Sequence, residues 1–204
     1  TDRILTLVSE ARELEIQVLM PSINKSDFHF TVDDGDIRYG LGAIKGLGEA
    51  AIEMIVEARS QSSFESLREF CRRVEAKKLG RRALEALINS GSMDSFGPES
   101  GSTNEIRSEL HRELEAAIKS AEQIDRDAKA GIVDLFGGIE SGADLYTENP
   151  TQVLSVIETL EKEKDSLGLF LSGHPMDVYS EEICSLCPRP LDRIESGKKR
   201  QWIA

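Results

Sequence analysis

The sequence predicts a mainly α protein. Two helix–turn–helix units follow a small β-hairpin, and a long helix and a helical C-terminal extension come after them. Three observations carry this. Aromatic residues make up only 5% of the chain, whereas Ala, Leu, Glu and Lys, which favour helices, are common. Apolar residues recur at helical spacing in several windows. Glycine, proline and serine fall between those windows, where turns are needed.

Residues 2–15 carry Ile4, Leu5, Leu7, Val8, Ala11 and Leu14, an apolar stripe that predicts the first helix. Ile16 to Leu19 alternates and stops at Pro21, which predicts a short strand. Phe28 to Val32 and Ile37 to Tyr39 flank Asp33-Asp34-Gly35 and read as a β-hairpin. Glu49 to Arg59 is a strong helix with Ala51, Ile52, Ile55 and Val56 inward. Ser63 is the expected N-cap of the next helix, whose inner face is Leu67, Phe70, Cys71 and Val74. A short basic turn, Lys77-Lys78-Leu79-Gly80, leads to a helix from Arg81 to Asn89 that Ser90-Gly91-Ser92 stops. After a loop at 97–104, a long helix runs from about Asn104 to Ala130. Residues 137–150 read as a linker, and 151–171 as helix in two pieces. Ser172-Gly173-His174-Pro175 is the expected stop, with glycine as the left-handed cap. A short helix is expected from Val178 to Leu186.

With 204 residues the chain can form one ordinary domain or two small ones. Its net charge of −12 argues, taken as a sum, against nucleic acid, because phosphate binding needs a basic surface. The distribution matters more. Between Arg68 and Arg82 seven basic side chains face two acidic ones, so a basic window sits on an acidic body. Three cysteines, Cys71, Cys184 and Cys187, do not make a disulfide framework and fit a reducing, cytoplasmic setting. No apolar run reaches the about 20 residues of a membrane span, and no signal peptide opens the chain. The start at Thr1 and the end at Trp202-Ile203-Ala204 suggest a piece of a longer protein, ending inside or just before a strand.

Gly40, Gly42, Gly46 and Gly48 are crowded around Lys45 and Leu47, and a helix starts at once. Glycines allow positive φ and close approach of another backbone. Leu47 can tuck between flanking helices while the peptide N–H groups of Lys45-Gly46-Leu47-Gly48 point outward at a helix N-terminus, forming an anion site. That is the logic of a helix-hairpin-helix element. A P-loop needs Ser or Thr after its Lys, and here Gly46 follows Lys45; the glycine spacing also fails the dinucleotide fingerprint. The alternative is a plain glycine-rich connector. Lys77, Lys78, Arg81 and Arg82 could lie beside this turn and contact the other strand, or could be an ordinary solvated helix end. Glu49 reads as helix-dipole stabilisation.

Ile132-Val133-Asp134-Leu135-Phe136 is either a peptide ligand for a groove on another protein or a local anchor. Cys184 and Cys187 form a lone C-x-x-C without a second pair, which argues against zinc. His174 is read as a capping or packing residue, and His29 as lying on the outer face of the hairpin. No catalytic constellation stands out.

Pro21 to Asn24, Ile37 to Gly48, Leu79 to Ile88 with Gly91 and Asp94, and Leu167 to Pro175 together resemble the alpha subunits of bacterial replicative DNA polymerase III, and the resemblance covers nearly the whole chain. It implies the end of the fingers region at 1–36 and a tandem helix-hairpin-helix DNA-binding domain at 37–96. A long helix ending in a clamp-binding peptide follows at 97–136. A linker at 137–150 then leads to a helical lead-in to an OB-fold at 151–204. It implies contact with the backbone of primer–template duplex through Lys45, Gly46, Leu47, Gly48, Lys77, Lys78, Arg81 and Arg82. It also implies a sliding-clamp motif on Ile132, Val133, Asp134, Leu135 and Phe136, with Ile132 where the family usually has Gln. Other holoenzyme subunits are expected partners, and a membrane is not. The family's Mg²⁺-bound aspartates sit in a palm domain absent from this sequence, so this segment is expected to be noncatalytic and free of cofactor. Glu99-Ser100-Gly101 departs from the Arg the family often carries there. The competing expectation is a protein-interaction module whose hairpins pack on neighbouring domains.

Overall fold

A computed structural model describes residues 2–129 and 153–186. The expected clamp peptide Ile132–Phe136, the expected linker and Cys187 lie outside the described residues. Eight α-helices, three short 3-10 turns and a three-stranded sheet make up the described part.

Helix α1 (Asp2–Glu13) turns Val8 and Ala11 into the core but leaves Leu5, Leu7 and Leu14 of its stripe exposed. Strand β1 (Val18–Leu19) pairs in parallel with β3 (Asp36–Arg38), and β2 (Thr31–Asp33) pairs antiparallel with β3, so the order is β1-β3-β2. Asp34 and Gly35 have φ of 55 and 92°, which makes the connection a two-residue turn of the type that matches strand twist. The expected strand at Phe28–Phe30 does not form. The carbonyls of Asp27 and Phe28 instead accept from the N–H groups of Leu41 and Gly42 at 2.8 and 2.9 Å. Gly40 permits this approach, since a Cβ there would lie 2.5 Å from the His29 carbonyl carbon. His29 itself is exposed.

Helix α2 (Glu49–Arg59) buries Ile52 and Ile55. Helix α3 (Leu67–Arg73) is capped by Ser66, not Ser63: the Ser66 hydroxyl accepts from the Glu69 N–H at 3.2 Å. Ser63 is taken elsewhere, its carbonyl accepting from Arg73. The expected basic turn is itself a one-turn helix, α4 (Ala76–Leu79), because buried Ala76 anchors it. Helix α5 (Arg81–Asn89) presents Ala83, Leu84, Ala86, Leu87 and Ile88 inward. Helix α6 (Thr103–Lys129) packs along α3 to α5 through Leu110, Leu114 and Ala117, whereas Ile124 at the end of its stripe is 47% exposed.

Helix α7 (Val156–Leu167) starts with a Ser155–Glu158 capping box. It is one piece and ends at Gly168, which has φ of 85°, so Gly168 is the left-handed cap and Gly173 is not. The expected extension to Leu171 fails because Leu169 folds into the core instead. His174 starts the next turn, its Nδ1 accepting from the Met176 N–H at 3.2 Å. That turn, Pro175–Tyr179, leads to α8 (Ser180–Leu186).

Candidate nucleic-acid interface

The hairpin is built from two anchors and an exposed loop. Ile44 and Leu47 are buried, while Lys45, Gly46 and Gly48 are exposed. The Leu47 N–H donates to the Ile44 carbonyl at 3.3 Å and closes the turn. Gly46 has φ of 90°, a conformation that excludes most side chains. Gly48 is extended, with φ of −86° and ψ of 159°, and no side chain caps the start of α2. Its carbonyl accepts from Ala51 and Ile52. The N–H groups of Gly46, Gly48, Glu49 and Ala50 have no partner among the described residues. Unpaired donors at a helix N-terminus, with the helix dipole behind them, attract an anion.

Two N–H groups of the turn are not free: that of Leu47 closes the turn, and that of Lys45 is bonded outside it. Lys45 donates its main-chain N–H to the Ser166 carbonyl at 2.9 Å, and the Tyr39 hydroxyl donates to the Leu167 carbonyl at 2.9 Å. Both acceptors belong to the last turn of α7, whose carbonyls lack intrahelical partners. The base of the hairpin is thus docked on α7, and its tip is left open.

A Cβ built on Gly46 would lie 3.9 Å from the Cβ of Ala86, so the tip rests on α5. Arg82 is one turn earlier on the same face of that helix. Lys77, Lys78, Arg81 and Arg82 are all exposed. Lys78 pairs with Glu75 at 2.7 Å and Arg81 with Glu85 at 2.8 Å; exposed pairs of this kind are weak and exchangeable. Lys45, Lys77 and Arg82 pair with no described residue. The hairpin tip thus meets α5 at Ala86, and Arg82 is exposed one turn earlier on that helix. Lys77 and Lys78 instead line a groove of about 540 Å³ with Cys71, Ala121 and Ile124.

Other members of the basic window hold the fold. Arg73 donates to the carbonyls of Ala58, Ser62 and Ser63, pairs with Glu69 and lies over the Phe64 ring. Arg68 pairs with Glu113. Burial, with the Glu113 charge adding to it, pushes the Cys71 thiol up to about 12, so it stays protonated.

A buried charge cluster joins α5, α6 and α7. Arg107, 1% exposed, donates to Asp94 at 2.8 Å, to Glu163 at 2.8 Å and to the Asn89 carbonyl at 3.3 Å. Glu163 also accepts from the Leu171 N–H, the Ser172 N–H and the Ser172 hydroxyl. Desolvation raises the pKa of Asp94, and the hydrogen bond from Arg107 opposes that rise. Desolvation also works against the Arg107 charge, but the Asp94 and Glu163 contacts prevail and leave its pKa raised. Gly91 makes room for the guanidinium: a Cβ there would sit 2.4 Å from Nη2 of Arg107.

A helix-hairpin-helix motif model matches residues 15–102. A DNA polymerase III subunit alpha from Pseudomonas aeruginosa is 39% identical over 100% of this chain and 18% of its own length. The Vibrio cholerae subunit is 37% identical over 100% of the chain and 17% of its own length. The Escherichia coli K12 subunit is 38% identical over 90% and 16%. The chain thus spans less than a fifth of these relatives. The helix-hairpin-helix match falls on the turn and helices described above, and the likeness runs through the segments around them. Over its whole length the chain is similar to one segment of DNA polymerase III alpha subunits, and the helix-hairpin-helix match falls within that segment.

Proposed function

We propose that this chain is the noncatalytic part of a replicative DNA polymerase that holds primer–template duplex by its backbone during DNA replication. The observation that supports this most directly is the hairpin tip. It carries four unpartnered main-chain N–H groups at the start of α2 and rests on α5, which exposes Arg82. Such donors bind phosphate oxygens and carry no sequence information. Lys45, Lys77, Lys78, Arg81 and Arg82 add mobile positive charge. The overall acidity keeps the grip weak and local, which suits a polymerase that must slide along duplex.

Nucleotidyl transfer, with its Mg²⁺, is assigned to the catalytic domain of the whole polymerase. In this reading the segment needs no cofactor. Ile132, Val133, Asp134, Leu135 and Phe136 are proposed to engage the sliding clamp, with Leu135 and Phe136 as the apolar anchors. Other holoenzyme subunits are proposed partners, the cytoplasm is the proposed location, and the division at residues 36, 96, 136 and 150 belongs to the same proposal. Among the described residues no helix is long and apolar enough to cross a membrane.

Titrating the chain with duplex DNA at two salt concentrations tests this. Binding should be salt-sensitive and lost in a Lys77→Gln, Lys78→Gln, Arg81→Gln, Arg82→Gln variant. Absence of binding at low salt overturns the reading. A second reading, an interaction module packed on neighbouring domains, draws on the Lys45 N–H already being taken by Ser166. It predicts no salt-dependent DNA affinity.

A further inference from the structure

Glu163 stands out because it is a fully buried carboxylate with no role in the phosphate grip. Both of its oxygens are in use. Oε1 accepts from the N–H groups of Leu171 and Ser172 at 2.7 and 2.9 Å, and Oε2 accepts from Arg107 at 2.8 Å and the Ser172 hydroxyl at 2.5 Å. These contacts fix α7 against α6 and against the segment that follows α7. Arg107 extends the tie to the end of α5 through the Asn89 carbonyl and to the 94–96 turn through Asp94. One turn beyond Glu163, the carbonyls of Ser166 and Leu167 hold the Lys45 N–H and the Tyr39 hydroxyl. The hairpin base is therefore attached to the helix that Glu163 locks in place.

We propose that Glu163 is a positioning residue for the phosphate-binding hairpin: by fixing α7 it holds the Lys45–Gly48 backbone in the form that presents the N–H groups of Gly46, Gly48, Glu49 and Ala50 outward. This rests on the hairpin being the DNA-contacting element. A hairpin that samples other conformations binds with an affinity reduced by the fraction of time it is competent. The phosphate contacts in the bound state are unchanged, so the salt slope is unchanged too.

The test compares the 204-residue chain with its Glu163→Gln and Tyr39→Phe variants. Tyr39→Phe introduces no unpaired charge and serves if Glu163→Gln does not fold. Residue-resolved amide hydrogen exchange is read alongside duplex DNA titration. Faster exchange at the Lys45 N–H, with Ile52 and Leu84 still protected, is expected in both variants. Affinity should fall by up to about fivefold, the limit set by one lost hydrogen bond, at an unchanged salt slope. Unaltered Lys45 exchange in a folded variant overturns the proposal. So does faster exchange with unaltered affinity. If the parent chain binds no DNA, the functional reading fails, while Lys45 exchange still reports whether Glu163 and Tyr39 control the hairpin.

Discussion

Replacing Arg107 with Met removes the cation that Asp94 and Glu163 share. The Glu163 side chain is 0% exposed and that of Asp94 is 29% exposed. Glu163 keeps its contacts to Leu171 and Ser172, and Asp94 can turn toward water. Breaking a buried pair by removing one partner costs about 3–5 kcal/mol. The remaining contacts of Glu163 and the partial exposure of Asp94 put Arg107→Met at the lower end, about 3 kcal/mol on that scale. Urea unfolding reads this directly. With m of about 1–3 kcal/mol/M for a small protein, the midpoint should fall by about 1–3 M at unchanged m. Adding Glu163→Gln to Arg107→Met should recover part of the loss, because one uncompensated charge is then gone. A single-variant loss below about 1 kcal/mol, the value of a surface pair, would refute the reasoning.

Gly46→Ala should cost about 1–2 kcal/mol from its positive φ alone, since the space around it is free to 3.9 Å. Gly48→Ala, at φ of −86° with open space around it, should be far milder, and thermal midpoints compare the two. Arg82→Gln should lower the salt slope of DNA binding by about 1. Arg73→Gln, which loses loop carbonyl contacts, should lower the melting temperature and leave the slope alone. Burial depresses the pKa of His111, and Lys162 and Arg81 add to this against the opposing pull of Glu85. The unfolded chain then takes up a proton that the folded chain refuses, so stability should drop as pH falls through about 6.5. His111→Gln should flatten that slope in urea titrations at several pH values.

The helices were legible because each has its own apolar period and its own terminator, as in Ile52 and Ile55 of α2 or Leu84, Leu87 and Ile88 of α5. The differences lie where the sequence is locally ambiguous. Ser63 and Ser66 are equally good caps by type, and only the three-residue spacing to Glu69 favours Ser66. Gly168 and Gly173 are likewise both plausible stops, and the choice turns on whether Leu169 enters the core. The hairpin tip was readable from its glycines, but its docking was not, since Ser166 is 121 residues from Lys45. The Arg107–Glu163 pair did leave a trace. Arg107 falls in register with Leu110 and Leu114, and Glu163 with Leu160 and Leu167. Opposite charges in the apolar stripes of two helices mark a buried pair.

The space that Gly91 leaves for the Arg107 guanidinium ties two distant positions into one inherited choice. A Cβ at 91 would lie 2.4 Å from Nη2 of Arg107 and 2.9 Å from Oδ2 of Asp94, so the guanidinium and its carboxylate partner would have to shift together. A change at 91 is therefore felt at 107. Among relatives, a residue other than Gly at 91 should travel with the loss of the Arg at 107, and with neutral residues at 94 and 163.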